Sequence, residues 1–139
     1  WLRPLAAPNG YQAMTGFVFD TGIVLDILTG HAAARGELQR AMSHGGRPWG
    51  SRLTWVEILS HATPECLREV EAFMAGFSID EMDEEIASRA ATLRRERREL
   101  GLLDATVLAT AMTRGRVLIT RNTRDFPAAM PGIRIPYTL

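Results

Sequence analysis

At 139 residues, 46% hydrophobic and 23% charged, the chain suits one globular domain large enough to bury a core. A single cysteine, Cys66, excludes an internal disulfide and a cysteine-based zinc site, and no apolar run approaches the roughly 18 residues of a membrane helix. The net charge of zero gives no overall sign of a nucleic-acid partner, yet all 16 basic residues are arginine, which makes planar, two-pronged contacts to phosphate or carboxylate.

Residues 1–13 carry Pro4, Pro8 and Asn9-Gly10 without periodicity. They read as an extension or vector remnant ahead of a single domain over 14–139. They also make a poor signal peptide, so a cytoplasmic location is expected. The run FVF ending in Asp20-Thr21-Gly22 predicts a buried strand over 16–19 feeding a helix over 23–29. A second helix follows over 31–43, with Ala33, Leu38, Ala41 and Met42 inward, and stops at His44-Gly45-Gly46. Next come a short strand over 48–53, helices over 54–62 and 64–75, and a strand over 77–79. A long helix over 82–99 presents Ile86, Ala90 and Leu93 on one face. The helix over 102–114 is apolar nearly all round, closes at Gly115 and should be central. A strand over 117–120, a turn at 122–126 and a last strand over 133–137 complete the chain. Strands alternating with helices imply an α/β fold with a mainly parallel sheet covered on both faces.

Four acids stand where such a sheet would gather them. Asp20 follows the first strand and Asp125 the fourth, so both reach the carboxyl edge, where open α/β sheets bind ligands. Glu57 and Asp104 begin helices that can lie on that edge. Each acid also has a purely structural reading: Asp20 as a turn or N-cap residue, Glu57 closing a capping box from Thr54, Asp104 as a helix cap, Asp125 making an Asx-type bond. Together, converging carboxylates repel one another and need a cation, and oxygen-only ligands suit Mg²⁺ or Mn²⁺. His31, His44 and His61 show no ligand spacing and read as surface residues. Trp49 and Trp55 read as core or interface residues, and the arginines over 94–98 as a solvated helix face. The stretch 112–139 holds five arginines against one acid, and Arg121 and Arg124 flank the predicted site.

The segments FVFDTGIVLDIL, SRLTWVE, IDEMDEEIASRAATLRR, LLDATVLATA and LITRNTRDF, in that order, resemble the successive motifs of PIN-domain ribonucleases, in particular the VapC-type toxins of bacterial toxin–antitoxin pairs. The resemblance implies a three-layer α/β/α fold and Mg²⁺- or Mn²⁺-dependent endonucleolytic cleavage of RNA. It also implies a VapB-like antitoxin and a homodimer of toxins. By position, Asp20, Glu57 and Asp104 match the family's three main acids. The fourth falls at Asn122 or Asp125, with Asp125 the better ligand. Thr21, Ser51, Asn122, Arg121 and Arg124 are the expected supporting or substrate-binding neighbours. Gly22 stands where the family usually has Asn, and Leu103 where it often has Pro; loss of the Asn side chain is expected to loosen the turn around Asp20. An aspartic protease half conflicts with the long helices. A haloacid-dehalogenase phosphatase lacks its second Asp at Gly22 and any lysine. A catalytically inactive PIN domain that binds RNA or a partner stays open beside the nuclease reading.

Overall fold

The computed structural model describes residues 16–127 and 129–139, so the expected extension over 1–13 lies outside the described residues. The elements in order are β1 (Phe17–Phe19), α1 (Thr21–Leu28), α2 (Ala32–Met42), β2 (Trp49–Ser51), α3 (Arg52–Ser60), α4 (Leu67–Met74), β3 (Ser78–Asp80), α5 (Glu84–Glu96), α6 (Leu102–Arg114), β4 (Val117–Ile119) and β5 (Ile133–Arg134). The sheet order is β3-β2-β1-β4-β5 and every pairing is parallel.

The strand sequences explain the layering. Successive residues of a strand face opposite sides of the sheet. Val18 and Leu118 therefore join one apolar cluster with Ile86, Ala90 and Leu108 of α5 and α6. Phe19 and Ile119 join the other, with Ile23, Ala34, Ile58 and Val70 of α1 to α4. A sheet buried on both sides needs apolar residues at every position, which FVF and VLI supply. The expected three layers follow. In α6 the seven residues from Ala105 to Ala111 are all buried, as expected of a central helix, and Gly115 closes it with a φ of 69°.

Several expectations change at the ends of elements. The strand expected over 48–53 stops at Ser51, whose hydroxyl caps α3 by accepting from Thr54 N at 3.1 Å. Thr54 is thus inside the helix, and the Thr54–Glu57 capping box is not formed. The last strand is two residues long, because only Ile133 and Arg134 pair with β4. His31 is not a free surface residue: its Nδ1 accepts from Ala34 N at 3.3 Å to cap α2, and its ring stacks on Tyr137 at 4.6 Å.

The inward face of α2 also differs. Ala33 and Met42 point outward, while Ala34, Glu37 and Ala41 are buried. A buried carboxylate is costly unless paired, and Glu37 is paired twice. It accepts from Arg134 Nε at 2.5 Å and from Arg40 Nη2 at 2.7 Å, which ties β5 to α2. Burial pushes its carboxyl up, but these two arginines outweigh that and hold it at about 2, against a usual 4.5. A carboxyl lowered on folding stabilises the protein above its unfolded pKa and loses that contribution as pH falls through the folded one. Glu37→Gln should therefore cost about 1–2 kcal/mol at neutral pH. It should also flatten the acid limb of stability between 4.5 and about 2, read by thermal melts across pH.

Candidate active site

The strand order reverses at β1, which has β2 on one side and β4 on the other. In open α/β sheets such a switch point opens a crevice at the carboxyl ends of the strands. Here the crevice is a cleft of about 470 Å³ lined by Asp20, Thr21 and Gly22 after β1, by Leu103 and Asp104 of α6, and by the residues from Arg121 to Arg124 after β4.

Asp20 is the most firmly held of the acids. It is only 6% exposed, and it is the N-cap of α1. Oδ1 accepts from Thr21 N at 2.9 Å and Oδ2 from the hydroxyl of Thr120 at 2.6 Å. Its backbone N–H donates to Ile119 O, so the register of β1 against β4 sets its position. Burial raises its pKa, opposed by the bonds from Thr120 and Thr21 and by the charge of Arg121. Thr120 escaped the sequence reading. It is fully buried, and its oxygen also accepts from Asn122 N at 3.0 Å, which joins Asp20 to the turn after β4. The available signal was a polar residue ending an otherwise apolar strand.

Asp104 is the third residue of α6 and makes no capping bond; the N-cap is Gly101. Its carboxyl is pushed up to about 6 by burial first, then by the negative charges of Asp20 and Asp125. Asp125 lies behind the cleft wall and is 2% exposed. Arg124 Nη2 donates to it at 3.2 Å and Asn122 Nδ2 at 3.0 Å, and these bonds hold its carboxyl below the usual range. The Asx-type bond expected of Asp125 is made by Asn122 instead, whose Oδ1 accepts from Asp125 N at 3.2 Å. Asn122 thus stands in the wall and Asp125 beneath it.

The remaining predicted residues divide. Thr21 lines the cleft, and its hydroxyl meets that of Thr54 at 3.0 Å. Ser51 is 1% exposed and donates its hydroxyl to Thr54, so it braces the start of α3 against α1 from below. Glu57 does not line the cleft; its carboxylate lies 3.0 Å from His61 Nε2, one turn along α3. Arg121 and Arg124 both line it. Neither pairs with the acids over 80–85, which take Arg52, Arg114 and Arg116 instead.

Among the described residues, no group of three or more His, Cys, Asp or Glu side chains is gathered into a ready metal cage. Mg²⁺ does not need one, because it keeps several waters and binds through one or two carboxylates plus substrate phosphate. Asp20 and Asp104 supply two oxygen donors facing one cleft, and burial first, then the charges of Asp20 and Asp125, raise the carboxyl of Asp104. The donor set fits a hard divalent cation.

A family model described as PIN domain matches residues 17–129. Ribonuclease VapC19 of Mycobacterium tuberculosis is 30% identical over 124 residues, covering 86% of this chain and 98% of that protein. Among solved structures, a toxin–antitoxin complex from Klebsiella pneumoniae superposes with a TM-score of 0.75 at 34% identity, over 88% of this chain and 98% of that one. DNA-bound VapBC from Salmonella typhimurium gives a TM-score of 0.70 at 27% identity, over 88% and 97%.

The charge imbalance has a measurable consequence. Asp104 rises on folding from 3.8 to about 6, so the folded state binds its proton more tightly than the unfolded state. Stability is then lost as pH rises through that window and stays lost above it. Asp104→Asn should stabilise the protein in EDTA at pH 7.5 by on the order of 1–2 kcal/mol, allowing for solvent screening. It should leave stability near pH 4 unchanged. Equal melting of both proteins at pH 7.5 would show that Asp104 carries no such stress.

Proposed function

This chain belongs to the PIN-domain family, and from that footing we propose that it is a Mg²⁺- or Mn²⁺-dependent endoribonuclease, the toxin of a VapBC-like toxin–antitoxin pair. The observation that carries the reading is the pair of acids, Asp20 and Asp104, facing one cleft at the switch point with their charge only partly balanced. The solved structures of toxin–antitoxin complexes at 34% and 27% identity support a VapB-like antitoxin as partner. A homodimer of toxins and a cytoplasmic setting belong to the same reading.

The geometry supports the following roles. A divalent ion, when bound, neutralises phosphate charge and makes a water acidic enough to attack a phosphodiester. Asp20 and Asp104 would hold it. Asp20 would do so without turning, because Thr120 and the N–H of Thr21 hold its two oxygens. Asp125 orients Asn122 in the cleft wall, and the same Asn122 amide reaches Asp104 Oδ2 at 3.5 Å, so Asp125 acts from behind. Arg121 and Arg124 offset the repulsion between an acidic cleft and the RNA backbone; such contacts give affinity rather than base choice. Glu57 keeps its place by family position, although it faces His61. That pairing favours the second reading, a silent PIN domain that binds RNA or a partner, and turnover separates the two.

Purified protein should cut single-stranded RNA with Mg²⁺ or Mn²⁺ and stop in EDTA; cleavage that survives chelation rules the metal out. Asp20→Asn and Asp104→Asn should each slow cleavage at least about a hundredfold, and Thr120→Val about tenfold through its hold on Asp20. Glu57→Gln decides the role of the acid on α3. A loss as large as that of Asp104→Asn means that Glu57 turns from His61 in the working enzyme.

A further inference from the structure

Gly22 is where the chain departs from its family's usual Asn, and the structure shows what uses the space. A Cβ built on Gly22 would meet Arg121 Cζ and Nη2 at 3.5 Å and Nε at 3.6 Å. The guanidinium thus lies against the first turn of α1, directly beside Asp20. It is not loose there. Nε donates to Asp26 Oδ2 at 2.6 Å and Nη2 reaches Oδ1 at 3.4 Å. Tyr137 donates its hydroxyl to Asp26 Oδ2 at 2.7 Å, and His31 stacks on the Tyr137 ring. Asp26 is therefore held from two sides, and it holds Arg121 by one edge.

A guanidinium has five N–H donors. Asp26 takes one from Nε and one from Nη2. Among the described residues Nη1 has no hydrogen-bond partner, and the side chain is 33% exposed on the cleft wall. Arg124 is the contrast: its side chain is 85% exposed and bonds only its neighbour Asp125. One arginine of the cleft is held along one edge by Asp26, and the other stands mostly in solvent.

We propose that Gly22, Arg121, Asp26 and Tyr137 form a preset arginine clamp for one phosphate of the RNA strand. Arg121 is the group that touches the phosphate, Asp26 and Tyr137 are positioning residues, and Gly22 supplies the room. An Asn at position 22 would carry its amide into the volume that the guanidinium fills. A guanidinium ordered before substrate arrives loses less freedom on binding than a mobile one. The proposal rests on the RNA reading and adds to it the fixed cation and the residue that admits it. Two substitutions at position 22 separate room from backbone. Gly22 has no positive φ, so a side chain is tolerated by the main chain, and an alanine Cβ at 3.5 Å is in ordinary van der Waals contact.

The test is binding of a fluorescent single-stranded RNA oligonucleotide by the full chain in Ca²⁺ in place of Mg²⁺, with a gel of the recovered RNA showing it intact, across a salt series, with melting temperature measured for every variant. Arg121→Ala should weaken binding about tenfold. It should also make the slope of log affinity against log salt shallower by about 0.7, the loss of one phosphate contact to a single strand. Gly22→Asn should match it in both respects, and the double variant should be no worse than either single one. Gly22→Ala, whose Cβ only touches the guanidinium, should weaken binding less than Gly22→Asn. Tyr137→Phe, which keeps the ring and removes the bond to Asp26, should weaken binding less than Arg121→Ala with no change in slope. If Arg121→Ala or Gly22→Asn melts lower yet keeps both affinity and slope, Arg121 is only a brace for α1 and the clamp is refuted. If Arg121→Ala loses affinity but Gly22→Asn does not, the assignment to Gly22 fails. If the wild type neither binds nor cuts RNA, the nuclease reading falls first and the clamp with it.

Discussion

The parallel pairing of β1 with β4 is the constraint on which the site depends. Phe19 lies opposite Ile119, so the next residues, Asp20 and Thr120, leave the sheet side by side. That adjacency puts the Thr120 hydroxyl on Asp20 and the turn that carries Asn122 and Asp125 beside both. A slip of one residue would turn Phe19 and Ile119 out of their cluster as well as part the two polar residues. Core packing and site geometry are therefore enforced by the same register.

Around that pairing the protein balances charge unevenly. Away from the cleft, three acids are closely matched: Glu37 by Arg134 and Arg40, Asp80 by Arg116 under the Trp49 ring, Asp83 by Arg114. Within the cleft, Asp125 is matched and Asp104 is not. A carboxyl raised by burial and by neighbouring acids in a cleft at a switch point is the physical mark of a candidate functional site.

Much of this was legible in the chain. Two apolar tripeptides, each ending in a polar residue, marked β1 and β4, and the unbroken apolar face of α6 marked the centre. Asp20 and Asp104 could be placed together because strand ends and helix starts share an edge in α/β folds. What was not legible depends on side-chain partners far apart in sequence. Nothing along the chain marked Glu37 as buried; its partner Arg134 stands 97 positions away. Thr120 looked like the end of a strand. Arg121 was placed beside the site, and only the fold shows it pinned to Asp26 across 95 positions. Glu57 had the right spacing, but a spacing along a helix does not say which neighbour the side chain chooses. Gly22 was expected to loosen the turn; the bonds from Thr21 N and Thr120 keep Asp20 fixed without a side chain there.

The capping of α1 by Asp20 has a consequence for how such a domain can change. The same carboxylate closes a helix and faces the cleft, so chemistry and folding draw on one side chain. Most exchanges at that position forfeit a helix cap together with any ion, and a lineage that gave up the reaction would still be under pressure to retain an acid or its amide there. An intact Asp at this position is accordingly weak testimony of activity by itself. Asp104 caps nothing in α6, so an exchange there leaves the start of its helix intact and removes only a carboxylate of the cleft.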